Sequence, residues 1–261
     1  MRIFVFASGS SGNCMLISDG ATNLLVDAGI SMRRVESSLR QAGMTVKDID
    51  GVLVTHEHSD HVSGLKMLLK HYKPPVYAPH TIGNRLRGML PEIEDSLNIV
   101  DVGRPFRLGE LDITAFHTPH DTDESVGYRA EGHGSFAIAT DMGHVTDEVA
   151  EGLTGADTVL IESNHDIRML SDGQYPFYLK RRILSERGHL SNADCAKLAR
   201  YLADKGTRRI ILGHLSLENN TPELAFRETE ALLTGTGTSL YCAPVFGFMS
   251  FEIGEKETCS L

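Results

Sequence analysis

The 261-residue sequence has few cysteines and no pairing pattern among them. The four cysteines, Cys14, Cys195, Cys242 and Cys259, are scattered, and none belongs to a CxxC motif. This distribution argues against a disulfide framework and against a cysteine-rich zinc site. We therefore expect reduced thiols in a reducing compartment, which predicts a cytoplasmic protein.

Long apolar runs are also absent from the sequence. No run approaches the roughly 20 residues that a membrane-spanning helix needs. The amino-terminal segment MRIFVFASGSSGNCM begins with a short apolar stretch but turns to Gly and Ser at once. This pattern is typical of a first strand and turn rather than of a secretory signal. We expect no association with a membrane.

Positive charge is scarce, with 25 Lys and Arg against 35 Asp and Glu and a net charge of −10. A protein that binds nucleic acid through bulk electrostatics is normally basic. A nucleic-acid substrate would therefore need bound metal and a local basic patch. The segment 168–187 is a candidate patch, and a solvated helix face explains its basic residues equally well. These residues are Arg168, Lys180, Arg181, Arg182 and Arg187.

The composition, 41% hydrophobic and 23% charged, is that of an ordinary globular protein. No linker-like or low-complexity stretch divides the chain, so we predict a single domain over residues 1–261. Apolar β-rich runs alternate with amphipathic stretches, which predicts an α/β fold. The predicted strands are Ile3–Phe6, Leu24–Val26, Val52–Val54, Ile113–Phe116, Phe136–Ala139, Val159–Ile161, Ile210–Leu212 and Ser239–Cys242. The predicted helices are Met32–Gln41, His61–His71, Thr81–Met89, Phe177–Glu186, Asn192–Ala203 and Pro222–Leu232.

The strongest chemical signal is the sequence THEHSDH, which directly follows the predicted strand Val52–Val54. In extended backbone, side chains two residues apart face the same way, so His56, His58 and Asp60 would project together. His61, predicted to open the next helix, would turn a fourth donor toward the same space. Neutral imidazole and carboxylate suit zinc, manganese or iron. The motif therefore predicts a metal site.

Three further donors stand where other predicted strands end: His120, Asp141 and His214. Each alone could be a cap or a solvated turn, but together they complete the set that two metal ions need. One ion could take His56, His58 and His120. The other could take Asp60, His61 and His214, with Asp141 bridging. Each ion would keep an open position for water, as in a catalytic site.

The pattern HxHxDH after a strand, with Asp27 in LLVDAG upstream and His120, Asp141 and His214 downstream, resembles the metallo-β-lactamase superfamily. The resemblance spans nearly the whole chain. It implies an α/β fold of the αββα sandwich type, with two mixed sheets flanked by helices and the metals at one edge. His117 could compete as the third histidine ligand, and the resemblance favours His120.

Four segments, FASGSSGNC, LIESNHD, RGHLSN and LGHLSLENN, are similar to the YycJ-type bacterial branch, whose members are linked to 5′-to-3′ exonuclease activity on DNA. Ribonuclease Z is a more distant relative with comparable Glu and His-Ser segments. By this resemblance Glu162 would orient the imidazole of His189, which could protonate the leaving oxygen or hold the scissile phosphate. Asp60 would be both a ligand and the acceptor of the nucleophilic water's proton. Alternatively, His189 is a turn residue before the next helix.

Other segments leave two readings open. Asp27 either fixes a ligand histidine through its second ring nitrogen or ties down the following turn. Residues 8–13 either present backbone N–H groups to a phosphate or form an ordinary turn. They contain no GKS or GKT, so we predict no Walker-type nucleotide site. Asn164 and His165 either line the pocket or have no part in it.

The sequence also departs from other branches of the superfamily. Many secreted β-lactamases place cysteine at the second metal, whereas this chain has His61 after Asp60. Flavodiiron oxidoreductases use Glu where this chain has His58, which disfavours oxygen or nitric oxide chemistry. Glyoxalase-type thioesterases and lactonases share the ligand pattern and remain open.

Together these features predict a metal-dependent hydrolase with two divalent ions per chain, zinc or manganese, with iron as a third option. The first hypothesis is a phosphodiesterase, a 5′-to-3′ exonuclease that acts on DNA rather than RNA through a dinuclear metal-activated hydroxide. The alternative is hydrolysis of a small substrate, a cyclic phosphodiester, thioester or lactone, at the same dinuclear site. A non-enzymatic metal-sensing module is disfavoured by the two open metal positions.

Overall fold

Fourteen strands form two seven-stranded sheets in the part of the chain that the structure describes. The computed structural model describes residues 1–254, so Cys259 and positions 255–261 of the predicted domain lie outside it. The first sheet contains β1 (Arg2–Ala7), β2 (Cys14–Ser18), β3 (Asn23–Val26), β4 (Gly51–Leu53), β5 (Val76–Ala78), β6 (Leu97–Ile99) and β14 (Met249–Glu252). The second contains β7 (Phe106–Leu108), β8 (Leu111–His117), β9 (Val126–Glu131), β10 (Ser135–Ala139), β11 (Thr158–Glu162), β12 (Arg209–Gly213) and β13 (Ser239–Cys242).

Both sheets are mixed, with a parallel and an antiparallel half. The first sheet has the order β14-β1-β2-β3-β4-β5-β6 and is parallel from β3 to β6. The second has the order β13-β12-β11-β10-β9-β8-β7 and is parallel from β10 to β13. Apart from β14, each half of the chain builds one sheet. The predicted architecture of two mixed sheets is confirmed.

Helices flank the sheets. Strands β3, β4, β10 and β11 are buried almost throughout, which requires cover on both of their faces. The helices are α1 (Met32–Gln41), α2 (Ser59–Val62), α3 (Leu65–His71), α4 (His80–Met89), α5 (Asp147–Leu153), α6 (Ile167–Asp172), α7 (Phe177–Ile183), α8 (Asn192–Asp204) and α9 (Pro222–Leu233), with 3-10 turns at Val46–Asp48 and Pro91–Ile93. No helix within residues 1–254 combines the length and the apolar character that crossing a membrane requires.

Two apolar cores lie on opposite faces of the second sheet. Successive side chains of a strand point to opposite faces, so β11 serves both cores. Leu160 belongs to the core shared with the first sheet, whereas Val159 and Ile161 belong to the core that includes residues of α5, α8 and α9. The second sheet is thus the middle layer between the first sheet and these helices.

The predicted helix His61–His71 is wrong as one element. The first turn, α2, already begins at Ser59, and α3 begins after Gly64. Gly64 passes so close to the turn after β3 that an added Cβ would lie 2.1 Å from the carbonyl oxygen of Ile30. Its N–H donates to the carbonyl of Ala28 at 2.8 Å. This tertiary contact interrupts the helical periodicity that the sequence displays.

Candidate metal centre

Strand ends from both sheets meet at this site. Asp27 directly follows β3, Asp141 lies two residues after β10, and His214 directly follows β12. Glu162 is the last residue of β11. Because parallel strands place their carboxyl ends at one edge of a sheet, the polar residues that follow them gather there. His120, which follows β8, joins them from the antiparallel half of the second sheet.

Three of these strand ends adopt left-handed backbone. Asp27, Asp141 and His214 have φ values of 58°, 57° and 53°. Within residues 1–254 the only other non-glycine residue with positive φ is Lys73. Such conformations cost on the order of 1–2 kcal/mol each for a residue with a side chain, and they persist where the surrounding structure holds them. Their concentration at one site indicates that the donors are fixed in place by the fold.

The THEHSDH motif reaches the site differently from the way its spacing predicts. Strand β4 ends at Leu53, and Asp60 lies in the helix α2 rather than in extended backbone. The expectation that strand alternation aligns Asp60 with His56 and His58 is therefore wrong. His58 is the N-cap of α2, and the helical turn brings Asp60 and His61 to the site.

Two tight turns hold the backbone of the same motif through hydrogen bonds. The backbone N–H of Asn13 donates to the carbonyl of Asp60 at 2.8 Å, and the N–H of Ala28 donates to the carbonyl of His61 at 2.8 Å. Gly29 lies against this backbone, and an added Cβ would stand 1.6 Å from the carbonyl oxygen of Asp60. The glycine thus permits the close approach that positions α2.

The structure brings all seven predicted metal ligands together. Donor atoms of His56, His58 and His120 lie within 4.8 Å of one another, and so do those of Asp60, His61 and His214. Asp141 lies between these groups. Its Oδ2 is 3.2 Å from Nε2 of His61, and its Oδ1 is 3.5 Å from Nε2 of His214 and 3.7 Å from Nε2 of His120. The assignment of these residues as ligands stays a prediction, and their placement agrees with it.

Buried polar atoms without partners show that the cluster fits a metal. Nε2 of His56, Nε2 of His214 and Oδ2 of Asp141 are buried and make no hydrogen bond. Buried polar atoms are otherwise nearly always hydrogen-bonded, because an unpaired one costs free energy. Imidazole nitrogens and a carboxylate oxygen that converge with free lone pairs are the donor chemistry that divalent metal ions take.

The protonation of two histidines also fits ligation. Burial, together with the nearby imidazole of His61, holds the pKa of His56 well below its ordinary value. Burial likewise lowers the pKa of His120. Both rings are therefore neutral at physiological pH, and the neutral imidazole is the form that binds a metal.

The carboxylates at the site concentrate negative charge. Burial raises the pKa of Asp141, but His214 and His61 outweigh it and hold that pKa well below the usual range. Burial also opposes ionisation of Glu162, yet His189 and His214 bring its pKa to about 2. For His61 the effects are reversed, since Asp27 and Asp141 overcome burial and raise its pKa to about 10. Ionised carboxylates in a buried cluster favour the binding of a cation.

Two further carboxylates contact histidines of the site, and one of them, Glu162, forms an additional possible donor group with Asp141, His189 and His214. Oδ2 of Asp27 lies 2.7 Å from Nδ1 of His61, so the predicted contact to the second ring nitrogen is confirmed. Oε1 of Glu162 lies 2.8 Å from Nδ1 of both His189 and His214. The predicted contact between Glu162 and His189 is therefore confirmed, and the contact to His214 is additional. Such partners engage Nδ1 and fix the orientation of the ring.

Four side chains at the site are partly accessible to solvent. Side chains of His56, His61, His120, Asp141 and His214 are buried. The partly exposed side chains are His58 at 33%, Asp121 at 26%, Asp60 at 23% and His189 at 20%. A substrate therefore meets these four residues first.

Two residues near the donors were missed by the sequence analysis. Oδ1 of Asp121 lies 3.3 Å from Nε2 of His120, and Asp121 also pairs with Arg182. Nδ2 of Asn13 lies 3.0 Å from Nε2 of His61. Asp121 could have been found as the neighbour of a predicted ligand, whereas Asn13 had no comparable signal.

Other candidates lie outside the cluster or support it structurally. Nδ1 of His117 lies 2.9 Å from Glu148, so this ring is engaged outside the donor groups. Asn164 donates to the backbone carbonyl of His214 at 3.0 Å and so supports the loop rather than the pocket. Neither ring nitrogen of the buried His165 makes a hydrogen bond. In residues 8–13 the N–H of Gly9 donates to Oδ1 of Asn13, that of Gly12 to the carbonyl of Gly9 and that of Asn13 to the carbonyl of Asp60, which favours a structural turn.

An αββα sandwich with a histidine- and aspartate-rich cluster at one edge of its sheets defines a class of metal-binding folds, and comparisons with known proteins agree with it. The model of the β-lactamase superfamily domain matches residues 22–215. The solved metallo-β-lactamase fold protein YhfI from Bacillus subtilis superposes with a TM-score of 0.73 at 16% identity, covering 96% of this chain and 100% of its own.

Sequence relatives narrow the class further. Over 239 residues the chain is 39% identical to exodeoxyribonuclease YycJ of Bacillus anthracis. This match covers 91% of the chain and 90% of that relative. It is also 39% identical over 225 residues to exodeoxyribonuclease WalJ of Streptococcus pneumoniae, with 85% and 84% covered. The chain therefore belongs to the metallo-β-lactamase superfamily, within its YycJ branch.

Proposed function

We propose that this chain is a metal-dependent phosphodiesterase that removes nucleotides from the 5′ end of DNA. The observation that carries the proposal is the contact of the buried Glu162 with His189, whose side chain is 20% exposed beside the donor cluster. A metal site alone would serve many hydrolases, whereas an oriented imidazole beside it can act on a phosphate or its leaving oxygen. Both relatives at 39% identity are named as exodeoxyribonucleases.

The cluster accommodates two divalent ions in our proposal, zinc or manganese. His56, His58 and His120 would hold one ion, and Asp60, His61 and His214 the other, with Asp141 between them. When bound, such ions supply Lewis acidity that activates water and neutralises charge on phosphoryl oxygens.

His189 would supply a proton to the leaving oxygen. Burial lowers its pKa, but the adjacent Glu162 carboxylate outweighs burial and raises the pKa above the ordinary value. This shift favours the protonated form of the ring. Because Nδ1 is engaged with Glu162, Nε2 is the nitrogen that can hold the scissile phosphate or donate to its leaving group.

Asp60 would accept the proton of the attacking water. Burial raises its pKa, but the nearby imidazole of His214, whose Nε2 lies 3.7 Å from Oδ2 of Asp60, and that of His61 outweigh burial and leave the pKa below the ordinary value. Its carboxylate is thus ionised at neutral pH. The side chain is 23% exposed, so a water molecule can reach it.

The alternative is a small substrate at the same cluster, a cyclic phosphodiester, thioester or lactone. The net charge of −10 favours it, because a small substrate needs no extended basic surface. The salt dependence of binding distinguishes the two hypotheses, because nucleic-acid binding weakens steeply as salt is added.

The proposal is tested with 5′-phosphorylated DNA and RNA, single-stranded and duplex, end-labelled and incubated with the protein and zinc, manganese or magnesium in turn. Bis(p-nitrophenyl) phosphate, a thioester and a lactone complete the panel. We expect DNA to shorten from its 5′ end and its turnover to fall with salt. Intact DNA and RNA together with rapid thioester or lactone hydrolysis would contradict the proposal.

A further inference from the structure

Helix α7 presents two aromatic side chains to solvent close to the candidate metal centre. Phe177 is 76% exposed and Tyr178 is 74% exposed, the highest values for large hydrophobic residues within residues 1–254. Both stand at the start of the helix, which begins directly after Pro176. Exposed apolar side chains of this size are uncommon and mark contact surfaces when they are grouped.

The same helix is basic in an acidic protein. Its sequence FYLKRRI contains three basic residues and no acidic one, against a net charge of −10 for the chain. The guanidinium of Arg181 lies 6.0 Å from the ring centroid of Phe177. Lys180 follows Tyr178 by two residues and donates to a backbone carbonyl, that of Ser171. Two aromatic side chains and three cations therefore share one short helix.

Helix α7 contacts residues of the candidate metal centre directly. The carbonyl of Ile183, its last residue, accepts a hydrogen bond from the backbone N–H of His189 at 3.0 Å. Arg182 pairs with Asp121, which borders His120. A helix of seven residues is about 10 Å long, so the aromatic end stands within a short distance of the metal cluster.

We propose, on the basis of the function proposed above, that Phe177 and Tyr178 stack on unpaired bases of a single DNA strand whose phosphates meet Lys180 and Arg181. A polyanion complements the charge of α7, and free bases offer flat apolar faces to the two rings. In a duplex these faces are covered by neighbouring base pairs. The substrate class at this site is therefore a single strand or a locally unpaired end that leads into the metal centre.

The test uses the full chain with its metal and a single-stranded oligonucleotide that carries 2-aminopurine near a phosphorothioate-protected 5′ end. Stacking on an aromatic ring quenches 2-aminopurine fluorescence. We expect the wild type to quench the fluorescence. The double variant Phe177→Ala/Tyr178→Ala should not quench it and should bind the oligonucleotide at least about tenfold more weakly than the wild type does. Lys180→Gln/Arg181→Gln should retain quenching but show a smaller dependence of binding on salt.

Tyr201 on α8 provides a matched control. It is an exposed aromatic residue, at 43%, with Nζ of Lys205 5.6 Å from its ring centroid. Tyr201→Ala should bind and quench as the wild type does. Equal binding by the α7 double variant, or wild-type affinity for a blunt duplex equal to that for a single strand, would overturn the inference. If the wild type self-associates and the α7 double variant does not, then α7 contacts a second copy of the chain, and this result would also overturn the inference.

Hydrolysis of bis(p-nitrophenyl) phosphate separates this inference from the proposed function. The small phosphodiester has no strand that leads from the metal cluster toward the start of α7, so we expect the α7 double variant to hydrolyse it at the wild-type rate. If the wild type hydrolyses neither this compound nor DNA, the proposed function fails. If both proteins hydrolyse it and bind DNA equally, only the stacking inference fails.

Discussion

At the scale of single residues, one carboxylate oxygen contacts both a predicted metal ligand and the predicted proton donor. Oε1 of Glu162 contacts both His214, a predicted ligand, and His189, the predicted proton donor. Its other oxygen accepts the backbone N–H groups of Met142 and Leu190 at 2.9 and 3.2 Å. A movement of this one side chain would therefore disturb metal binding and proton transfer together.

His189→Ala is expected to remove the proton donor without removing the metal, because His189 is absent from the seven predicted ligands. General acid catalysis contributes roughly 100- to 10,000-fold, so we expect kcat to fall within that range. The metal-to-protein ratio, measured by elemental analysis, should stay that of the wild type. His117→Ala, which removes a histidine engaged with Glu148, is the control and should keep full activity. Unchanged turnover in His189→Ala would exclude the residue from the mechanism.

Asp141→Ala is expected to lose metal. Its carboxylate lies between the two donor groups, and its removal leaves the imidazoles of His61, His120 and His214 without the negative charge they face. Elemental analysis should give a lower metal-to-protein ratio than that of the wild type. Asp112→Ala, an exposed carboxylate on β8, should leave the ratio unchanged. A full metal complement in Asp141→Ala would refute its role as a ligand.

The donor residues could be read from the sequence because each follows an apolar run, and the family resemblance chose His120 over His117. Asp27 was predicted as the partner of a ligand histidine, but other partners could not be read from the sequence. The contact of Glu162 with His214 joins residues 52 positions apart, and that of Asn13 with His61 joins residues 48 positions apart. Such contacts depend on the order in which strands pair within each sheet, which local patterns do not encode.

At the scale of elements, backbone close approaches place the metal-binding turns. The turn after β3 lies so near to α2 that only glycine fits at position 29. The sequence pattern predicted one helix over residues 61–71, because its periodicity cannot register the contact of Gly64 with Ile30 that divides the helix. Short strands such as β5 and β6 were missed for a related reason, since three residues carry too little alternation to be recognised.

Gly29→Ala is expected to displace the segment that carries Asp60 and His61. Its Cβ would overlap the carbonyl oxygen of Asp60, and forced overpacking costs about 1–3 kcal/mol of folding free energy. We expect a lower Tm together with a lower metal-to-protein ratio. Gly88→Ala on α4 is the matched control, because an added Cβ there meets nothing within 4 Å and alanine favours a helix. A Gly29→Ala protein with wild-type Tm and metal content would contradict this account.

At the scale of the whole molecule, the two sheets share one apolar core, and we propose that they form a single domain. Residues of both sheets, such as Leu16 and Leu160, belong to the same core cluster. The sandwich could be anticipated from the resemblance of the ligand motif, and the predicted strands located the centre of each sheet. The pairing of β14 with β1 could not be anticipated from the sequence, because nothing in either segment specifies its partner.

Removal of metal is expected to destabilise this domain. The cluster joins strand ends of both sheets, and a ligand that binds only the folded state stabilises it by about 4 kcal/mol at a thousand times its Kd. Chelation should therefore lower Tm, and added zinc or manganese should restore it, as measured by scanning calorimetry. The Asp141→Ala variant should have a low Tm that chelator does not lower further. Equal Tm values with and without chelator in the wild type would contradict a metal at this site.

The pairing of β1 with β14 has a consequence for biosynthesis. Ile3 faces Phe251 in this ladder, so during synthesis β1 waits for a partner that lies almost 250 residues later in the chain. Until then one edge of β1 keeps unpaired backbone groups that can recruit a foreign strand. The first sheet is therefore complete only after β14 has been synthesised, and the open edge of β1 favours aggregation until that point.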